Sequence, residues 1–378
     1  MRFPKAVGIT DMKKTNDMIM NAVNLGVNYF DTAWLYPGSE EALGTVLANN
    51  GARSRVHIAS KLPIYLVRNP GDFDKYFSTS LARLKTGYID YYLMHMLTDL
   101  TSWEKLVQLG VAEWAAEKKA QGKLKQFGFS FHGPRDEFLK ILNAYDWDFC
   151  QIQYNYSNEN YQAGRTGLLA AASKNIPVII MEPLMGGSLV TRLPAAARNA
   201  FARARPDLTP AGWGLNWLWD QSAVTVVLSG MSTAEQVNEN LALAENAKAG
   251  MLTDADRAVY KEALAAFDAA YKVKCTGCSY CMPCPNEVNI PGCFSSYNTS
   301  FALTPIEGFK QYVTSTLSLS TGEYHAASKC IQCGKCESHC PQHINIRNEL
   351  MRVRKRMEPF YIRAAIAIAL KLFGGRRK

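Results

Sequence analysis

The stretch "GVNYFDTAWLYPGSEEALG", residues 26–44, contains a short apolar and aromatic run, a polar residue that ends it, and the start of a helical pattern. Six more such runs follow: "RVHIASK" (55–61), "YIDYYLMH" (88–95), "LKQFGFS" (124–130), "DFCQIQYN" (148–155), "IPVIIMEP" (176–183) and "AVTVVLSG" (223–230). Between them lie segments such as "DMIMNAVNLG" and "EKLVQLGVAEWAAEKKAQG", whose apolar residues return every three or four positions, as on a helix with one buried face. Strand–helix alternation implies a parallel sheet covered by helices. Seven to eight units predict an α/β fold of the (β/α)8 TIM-barrel class over residues 1–268. The G-x-G-x-x-G fingerprint is absent, which argues against a doubly wound dinucleotide fold.

The polar residues that close these runs carry the first hint of chemistry. Asp31, Lys61, His95, Ser130, Gln151 with Asn155, Glu182 and Ser229 all stand at or near the C-terminal end of a run. In barrels of this kind that rim hosts the active site. Asp, Lys and His ending three successive strands form a charged and titratable cluster on one rim, although solvated strand ends alone could also account for it.

In "FDTAWLYPGSEEALG", Asp31 and Tyr36 are followed in order by Lys61 of "IASK" and His95 of "YYLMH". This set resembles the catalytic tetrad of the aldo/keto reductase family. The residue types suit carbonyl reduction by hydride, in which the developing alkoxide needs a proton. A Tyr phenol, ordinarily near pKa 10, needs tuning to supply it at neutral pH. A Lys ammonium favours the phenolate, and an Asp carboxylate holds that Lys charged and in place. The resemblance implies that Tyr36 donates the proton, Lys61 tunes it, Asp31 anchors Lys61 and His95 orients the carbonyl.

The resemblance also implies a nicotinamide cofactor. Gln151 matches the family's carboxamide-holding glutamine, and Ser130 matches the serine of its Ser-Asn pair, although Phe131 stands where Asn is usual. Met181 takes the place of a residue that often stacks on the nicotinamide ring; Met can still pack a flat ring. In "SGMSTAEQVNENL", Asn240 matches an asparagine at the adenine end, and the helix start can receive phosphate on its free N–H groups. Ser229 or Gly230 and Gln236 occupy positions where NADP-using members place Lys and Arg. Without those cations NAD is the expected NAD(P) form. The family normally carries a small hairpin and most of strand one before the equivalent of Met1. The expectation is a first strand reduced to "RFPKAVG", or a start lying upstream.

Nine of the ten cysteines fall between Cys275 and Cys340. In a chain without an export signal such clustering favours metal ligation over disulfides. The run "CIQCGKCESHCP", Cys330 to Pro341, has the C-x2-C-x2-C-x3-C-P spacing of a bacterial [4Fe–4S] site. The run from Cys275 through Cys278 and Cys281 to Cys284 is similar but compressed at its last gap. Zinc more often uses two separated C-x2-C pairs. In two-cluster ferredoxins the fourth cysteine of each run ligates the other cluster. Here that gives Cys275, Cys278, Cys281 and Cys340 for one, and Cys330, Cys333, Cys336 and Cys284 for the other. Cys293 and Cys150 read as packing residues. "CTGCSYCMPCP", "IPGCFSSYN" and "CIQCGKCESHCPQHI" are similar to an aldo/keto reductase subgroup with a C-terminal ferredoxin-type dicluster domain, expected over residues 269–350.

Hydrophobic residues make up 48% of the 378 and charged residues 20%, an ordinary balance for a soluble protein. The net charge of +9 is almost entirely local. Residues 351–378 hold nine bases against Glu358, leaving the first 350 residues near neutrality, so a nucleic-acid partner is not expected. Ile362, Ile366, Leu370 and Phe373 form an apolar stripe opposite Arg363, Ala367 and Lys371. Three readings of this tail stand: peripheral contact with the inner membrane surface, docking on an acidic redox protein partner, or packing on the protein itself. The opening residues lack a secretion signal, so a cytoplasmic chain is expected.

The expected function is NAD(P)H-linked reduction of a small carbonyl, or oxidation of the alcohol, coupled to electron transfer through two [4Fe–4S] clusters. Clusters carry one electron each, so a converter such as a flavin is required, in the barrel or in a partner. No flavin motif is legible. The alternative is an electron-transfer or membrane-associated redox subunit with a non-catalytic barrel.

Overall fold

The computed structural model of the chain describes residues 3–6, 9–275, 277, 279–317, 324–340, 342–360, 362 and 364. A two-residue hairpin, β1 (Lys5–Ala6) with β2 (Ile9–Thr10), comes first. All seven apolar runs then become strands: β3 (Tyr29–Asp31), β4 (His57–Leu62), β5 (Ile89–Leu97), β6 (Leu124–Phe131), β7 (Phe149–Gln153), β8 (Val178–Met181) and β9 (Val226–Val227). They pair in parallel in chain order, with helices in every crossover, as an α/β barrel requires. β5 is buried at nearly every position, consistent with a parallel strand covered on both faces.

Among the described residues β3 and β9 are the two edges of this sheet, so the strand ring has seven members rather than eight. The segment expected as a reduced first barrel strand is instead antiparallel: Lys5 pairs with Thr10 and Ala6 with Ile9. Asp11 extends this local pairing by donating its N–H to the Pro4 carbonyl at 2.8 Å. The helical layer does join across the gap. The helix Met12–Asn24 packs on both Ser39–Asn49 and Ala234–Glu245, and Asn21 Nδ2 donates to Asn238 Oδ1 at 2.8 Å. Asp11 caps the first of these helices, its carboxylate accepting from the Lys14 N–H, while Met18, Ile19, Ala22 and Val23 supply the buried face.

A second apolar core gathers Tyr156, Phe201, Trp213, Tyr260 and Phe267. It forms because the helix Asp254–Ala270, opened by a Thr253–Asp256 capping box, lies along the helix Ala195–Ala204. A third core, with Ile290, Phe294, Tyr312, Leu350 and Val353, belongs to the cysteine-rich region. It is built by the helices Ile290–Ala302, Pro305–Thr316 and Ile346–Met357. The last of these crosses the expected start of the basic tail: Val353 and Met357 are buried in this core, while Arg352, Arg354, Lys355 and Arg356 are exposed. Of the apolar stripe beyond it only Ile362 is described; Ile366, Leu370 and Phe373, with Arg363, Ala367 and Lys371, lie outside the described residues. Among the described residues no helix is long and apolar enough to cross a membrane.

Candidate functional site

Parallel register explains how Asp31, Lys61 and His95 come to one place. Asp31 pairs with Ala59, and Lys61, two residues further along β4, points to the same face. Lys61 pairs with Leu93, and His95 lies two residues beyond that on β5. Each side chain is therefore one same-face step higher than the last, on the barrel's C-terminal rim. The Lys61 ammonium, 1% exposed, donates to Asp31 Oδ1 at 2.6 Å and to the Thr32 carbonyl at 2.7 Å. Tyr36, in the loop before the helix Ser39–Asn49, is 36% exposed. Its ring centre lies 5.4 Å from Lys61 Nζ and 5.8 Å from the His95 ring, which it meets edge-on. All four tetrad residues converge, with the phenol at the accessible side.

His95 sits at a break in the ladder. The register between β5 and β6 shifts between Met94 and Leu97, and Met96 takes a left-handed backbone, φ 60°. A non-glycine residue held there is strained, and such strain persists where surrounding contacts fix it. Ser130 supplies one: its Oγ accepts from the Met96 N–H at 2.9 Å. The hydroxyl expected to meet cofactor thus spends one interaction bracing the bulge beside His95. Burial holds the His95 imidazole well below its usual pKa, with the Lys61 charge and then His132 adding to the effect. His95 is therefore neutral at physiological pH, and its buried Nδ1 has no partner among the described residues.

Gln151 pairs with Ser130 across β6 and β7 and is 2% exposed. Its Oε1 is buried without a partner among the described residues, an acceptor able to take an amide N–H of a nicotinamide. Met181 ends β8 half-buried, followed by Glu182 in a left-handed conformation. After β9, Gln236 is turned back on its own helix start, accepting from the Ser232 N–H at 2.8 Å. Asn240 Nδ2 donates to Ser229 Oγ at 2.9 Å. Residues 229–241, Gly230 among them, contain no cation.

His132 was not among the residues singled out for chemistry. It is buried, its imidazole pushed down to about 4 by burial, with hydrogen bonding to the neighbouring Gln162 pulling the other way. The available signal was its place two residues after Ser130, following the Phe131 that departs from the family pattern.

The cysteines of the two runs interleave. One small void is lined by Cys275, Cys281 and Cys340, with Phe294 and Ile344. A second is lined by Cys284, Cys330, Cys333 and Cys336, with Arg347 and Leu350. Ile290 lies against both. Cys278 lies outside the described residues. Among the described residues no group of three or more Cys, His, Asp or Glu is gathered tightly enough for a single ion. Zinc would need its thiolates about 2.3 Å from one centre. Thiols spaced around a void suit a cluster, which takes its ligands at separate corners. Cys293 is fully buried, its thiol pushed up by burial, 4.0 Å from the Tyr312 hydroxyl, and it lines neither void. Cys150 is likewise buried, within the barrel core.

The model of the aldo/keto reductase family matches residues 1–251, two thirds of the chain. The chain belongs to this family. A model of the 4Fe-4S dicluster domain matches residues 274–345 of the same reductase. It is similar to the NADH-specific methylglyoxal reductase of Escherichia coli, 28% identical over 305 residues, 68% of this chain and 89% of that protein. It is also similar to the oxidoreductase YqkF of Bacillus subtilis, 26% identical over 266 residues, 61% of this chain and 82% of that one. Among solved structures, the aldo-keto reductase AKR11C1 of Bacillus halodurans superposes with a TM-score of 0.56 at 22% identity, covering 70% of this chain and 91% of that one. An aldo/keto reductase of Klebsiella pneumoniae, solved with NADP and acetate, gives 0.55 at 22% identity, covering 66% and 84%. The protein is an oxidoreductase that joins a reductase barrel to a 4Fe-4S domain.

Proposed function

We propose that the barrel reduces a small carbonyl with NAD(P)H, or runs the reverse alcohol oxidation, with Tyr36 as proton donor. The observation that carries this is the buried Lys61–Asp31 pair set against Tyr36 and His95 on an accessible rim. The Lys61 charge favours the phenolate form of Tyr36, Asp31 fixes that charge, and neutral His95 can donate a hydrogen bond to the substrate oxygen. Gln151 and Ser130 would hold the nicotinamide carboxamide, with Met181 against the ring and Asn240 toward the adenine. The cation-free turn at Gly230 and Gln236 favours NAD over NADP, because nothing there would grip a 2′-phosphate.

The division we favour is a barrel over 1–268, a cluster domain over 269–350 and a basic tail beyond it, in a cytoplasmic protein. Cys275, Cys278, Cys281 and Cys340 would hold one [4Fe–4S] cluster, and Cys284, Cys330, Cys333 and Cys336 the other. Such clusters, when bound, exchange electrons one at a time. Coupling to a two-electron barrel then requires a converter of the flavin class, and a redox protein is the natural partner outside the domain.

The test is Tyr36→Phe in anaerobically purified protein, with NADH and NADPH against a panel of small aldehydes and ketones. Loss of turnover with retained nicotinamide binding supports catalysis by the barrel. Phe131 and Met181, which depart from the family pattern, favour a second reading in which the barrel only supports electron transfer. Unchanged nicotinamide-dependent turnover in Tyr36→Phe counts against Tyr36 as proton donor. Complete absence of turnover in the parent, with reducible clusters, favours the second reading.

A further inference from the structure

The second cysteine void reaches the surface, and cations surround the place where it does. Cys333, which lines that void, is the one exposed cysteine among the described residues. Ile331 lines the same void and is 63% exposed. The helix Ile346–Met357 lies against this edge. Gln332 Nε2 donates to the Arg347 carbonyl at 3.5 Å, and a Cβ at Gly334 would stand 3.6 Å from the Arg347 guanidinium carbon. Along the helix Met351, Arg354 and Lys355 continue the face that Arg347 begins, one and two turns on. Met351 is 52% exposed, so two bare apolar side chains, Ile331 and Met351, accompany the charge.

The charge itself is unbalanced. Residues 331–357 hold six Lys and Arg against two carboxylates. Both carboxylates are spent within the region, Glu337 on Arg347 and Glu349 on Arg352, each at 2.9 Å. Arg356 is engaged as well, donating to Ser300 Oγ at 2.6 Å with its guanidinium 3.9 Å from the Phe301 ring centre. That leaves Lys335, Arg354 and Lys355, all exposed and none with a carboxylate partner among the described residues. A cation that offsets the charge of the thiolates acts best from within, as half-buried Arg347 can. Exposed cations are screened over about 8 Å at physiological salt, so their effect is on what approaches from outside. Residues 361–378 cannot neutralise this face, because they contain five Lys and Arg and no Asp or Glu. A second copy meeting it face to face would bring like charges together.

We propose that this edge is the docking surface for an acidic one-electron carrier protein, with electrons passing at the Cys333 side of the second cysteine set. The proposal rests on the cluster reading given above. The transfer takes one electron from the reduced cluster to the oxidised carrier, and no bond or proton changes place. Complementary charge of this kind speeds encounter by about 10- to 10³-fold at low salt. The small apolar contact at Ile331 and Met351 then fixes the pose. An anionic membrane would meet the same cations but makes no use of an exposed thiol edge, so a carrier is the favoured occupant.

The test uses the full chain, purified anaerobically, reduced with dithionite and desalted. It is mixed by stopped flow with native cytochrome c or with its succinylated form, which carries the same haem beneath an acidic instead of a basic surface. At low ionic strength the acidic form should be reduced faster by about tenfold or more, and salt should erase the difference. Arg354→Glu combined with Lys355→Glu, and Lys335→Glu separately, should slow reduction of the acidic form and weaken its binding by calorimetry, the pair by about tenfold. Arg198→Glu, on the barrel helix Ala195–Ala204, should change neither. Iron and sulfide contents equal to the parent show that the variants are intact. A native form reduced as fast as the acidic one, or an acidic-form rate indifferent to the substitutions, overturns the proposal. So does pelleting with phosphatidylglycerol vesicles, or dimerisation in the ultracentrifuge, that depends on these cations while carrier reduction does not. A parent without iron overturns the cluster reading and this surface with it, and the iron assay identifies that case. The expected charge preference in a protein without NADH turnover leaves the surface standing and counts against the barrel chemistry.

Discussion

Replacing Lys61 by Met keeps side-chain length and deletes a charge that the structure places with care. The ammonium is 1% exposed and stands 2.6 Å from Asp31 Oδ1, in a pair whose other member is 14% exposed. At an effective dielectric of about 20, a pair at that distance carries roughly 6 kcal/mol of gross attraction. Most of this is offset by the desolvation needed to form it. Removing one partner is different, because the Asp31 carboxylate loses its counter-charge while its Oδ2 already has no hydrogen-bond partner among the described residues. Breaking a buried pair from one side costs about 3–5 kcal/mol. Some solvent still reaches Asp31, so the lower end, about 3 kcal/mol, is expected for Lys61→Met. For a body of this size that is a fall in melting temperature of roughly 4–6 °C. Thermal melts of the parent, Lys61→Met, Asp31→Asn and the double variant measure it. The double variant should recover most of the lost stability, since no buried charge is left unpaired, and should recover no carbonyl reduction. A Lys61→Met protein that melts with the parent, or still turns over at the parent rate, refutes the reasoning.

Tyr36→Phe should lower nicotinamide-dependent turnover by about 10²- to 10⁴-fold, as expected for loss of a general acid, with nicotinamide affinity little changed; steady-state kinetics and a binding titration separate the two. Cys340→Ser should remove about half of the bound iron and sulfide. Cys293→Ala should remove none, and equal losses would contradict the separation of the voids. His132 titrates at about 4 in the folded chain, and burial lowers His95 as well. Unfolded, each takes up a proton near pH 6.5, so the unfolded state binds more protons below that point. Stability should therefore fall as pH drops from about 6.5 toward 4, by up to about 3 kcal/mol from His132 alone. Urea midpoints at pH 7 and pH 5 should differ less in His132→Gln than in the parent, and an equal difference would count against His132.

What the sequence made legible was whatever is encoded locally. The seven runs could be read as strands because parallel strands covered on both faces stay apolar along their length. The rim residues followed, because each run ends on one. Strand extent was less legible: "AVTVVLSG" yields only Val226–Val227, a strand paired on one side among the described residues. The basic segment after residue 350 looked separate by charge, yet its first turns bury Val353 and Met357 against the cysteine-rich core. Charge marks the exposed face of a helix and is silent about the buried one. Cysteine spacing was read from the chain alone. The bulge at Met96 and the burial of His132 were invisible, because each arises where segments distant in sequence meet.

The interleaving of the two cysteine runs also bears on how the protein is made. Each void takes thiols from both runs, with Cys340 completing the first and Cys330, Cys333 and Cys336 the second. During synthesis, domains fold as units from the N-terminal end. The barrel can therefore fold while Cys275, Cys278, Cys281 and Cys284 wait for the second run. Neither cysteine set is whole until translation has passed residue 336, and the first not until residue 340. Insertion of iron and sulfur is thus a late event for this chain, and a ribosome stalled between the two runs would release a folded barrel trailing the four thiols of the first run.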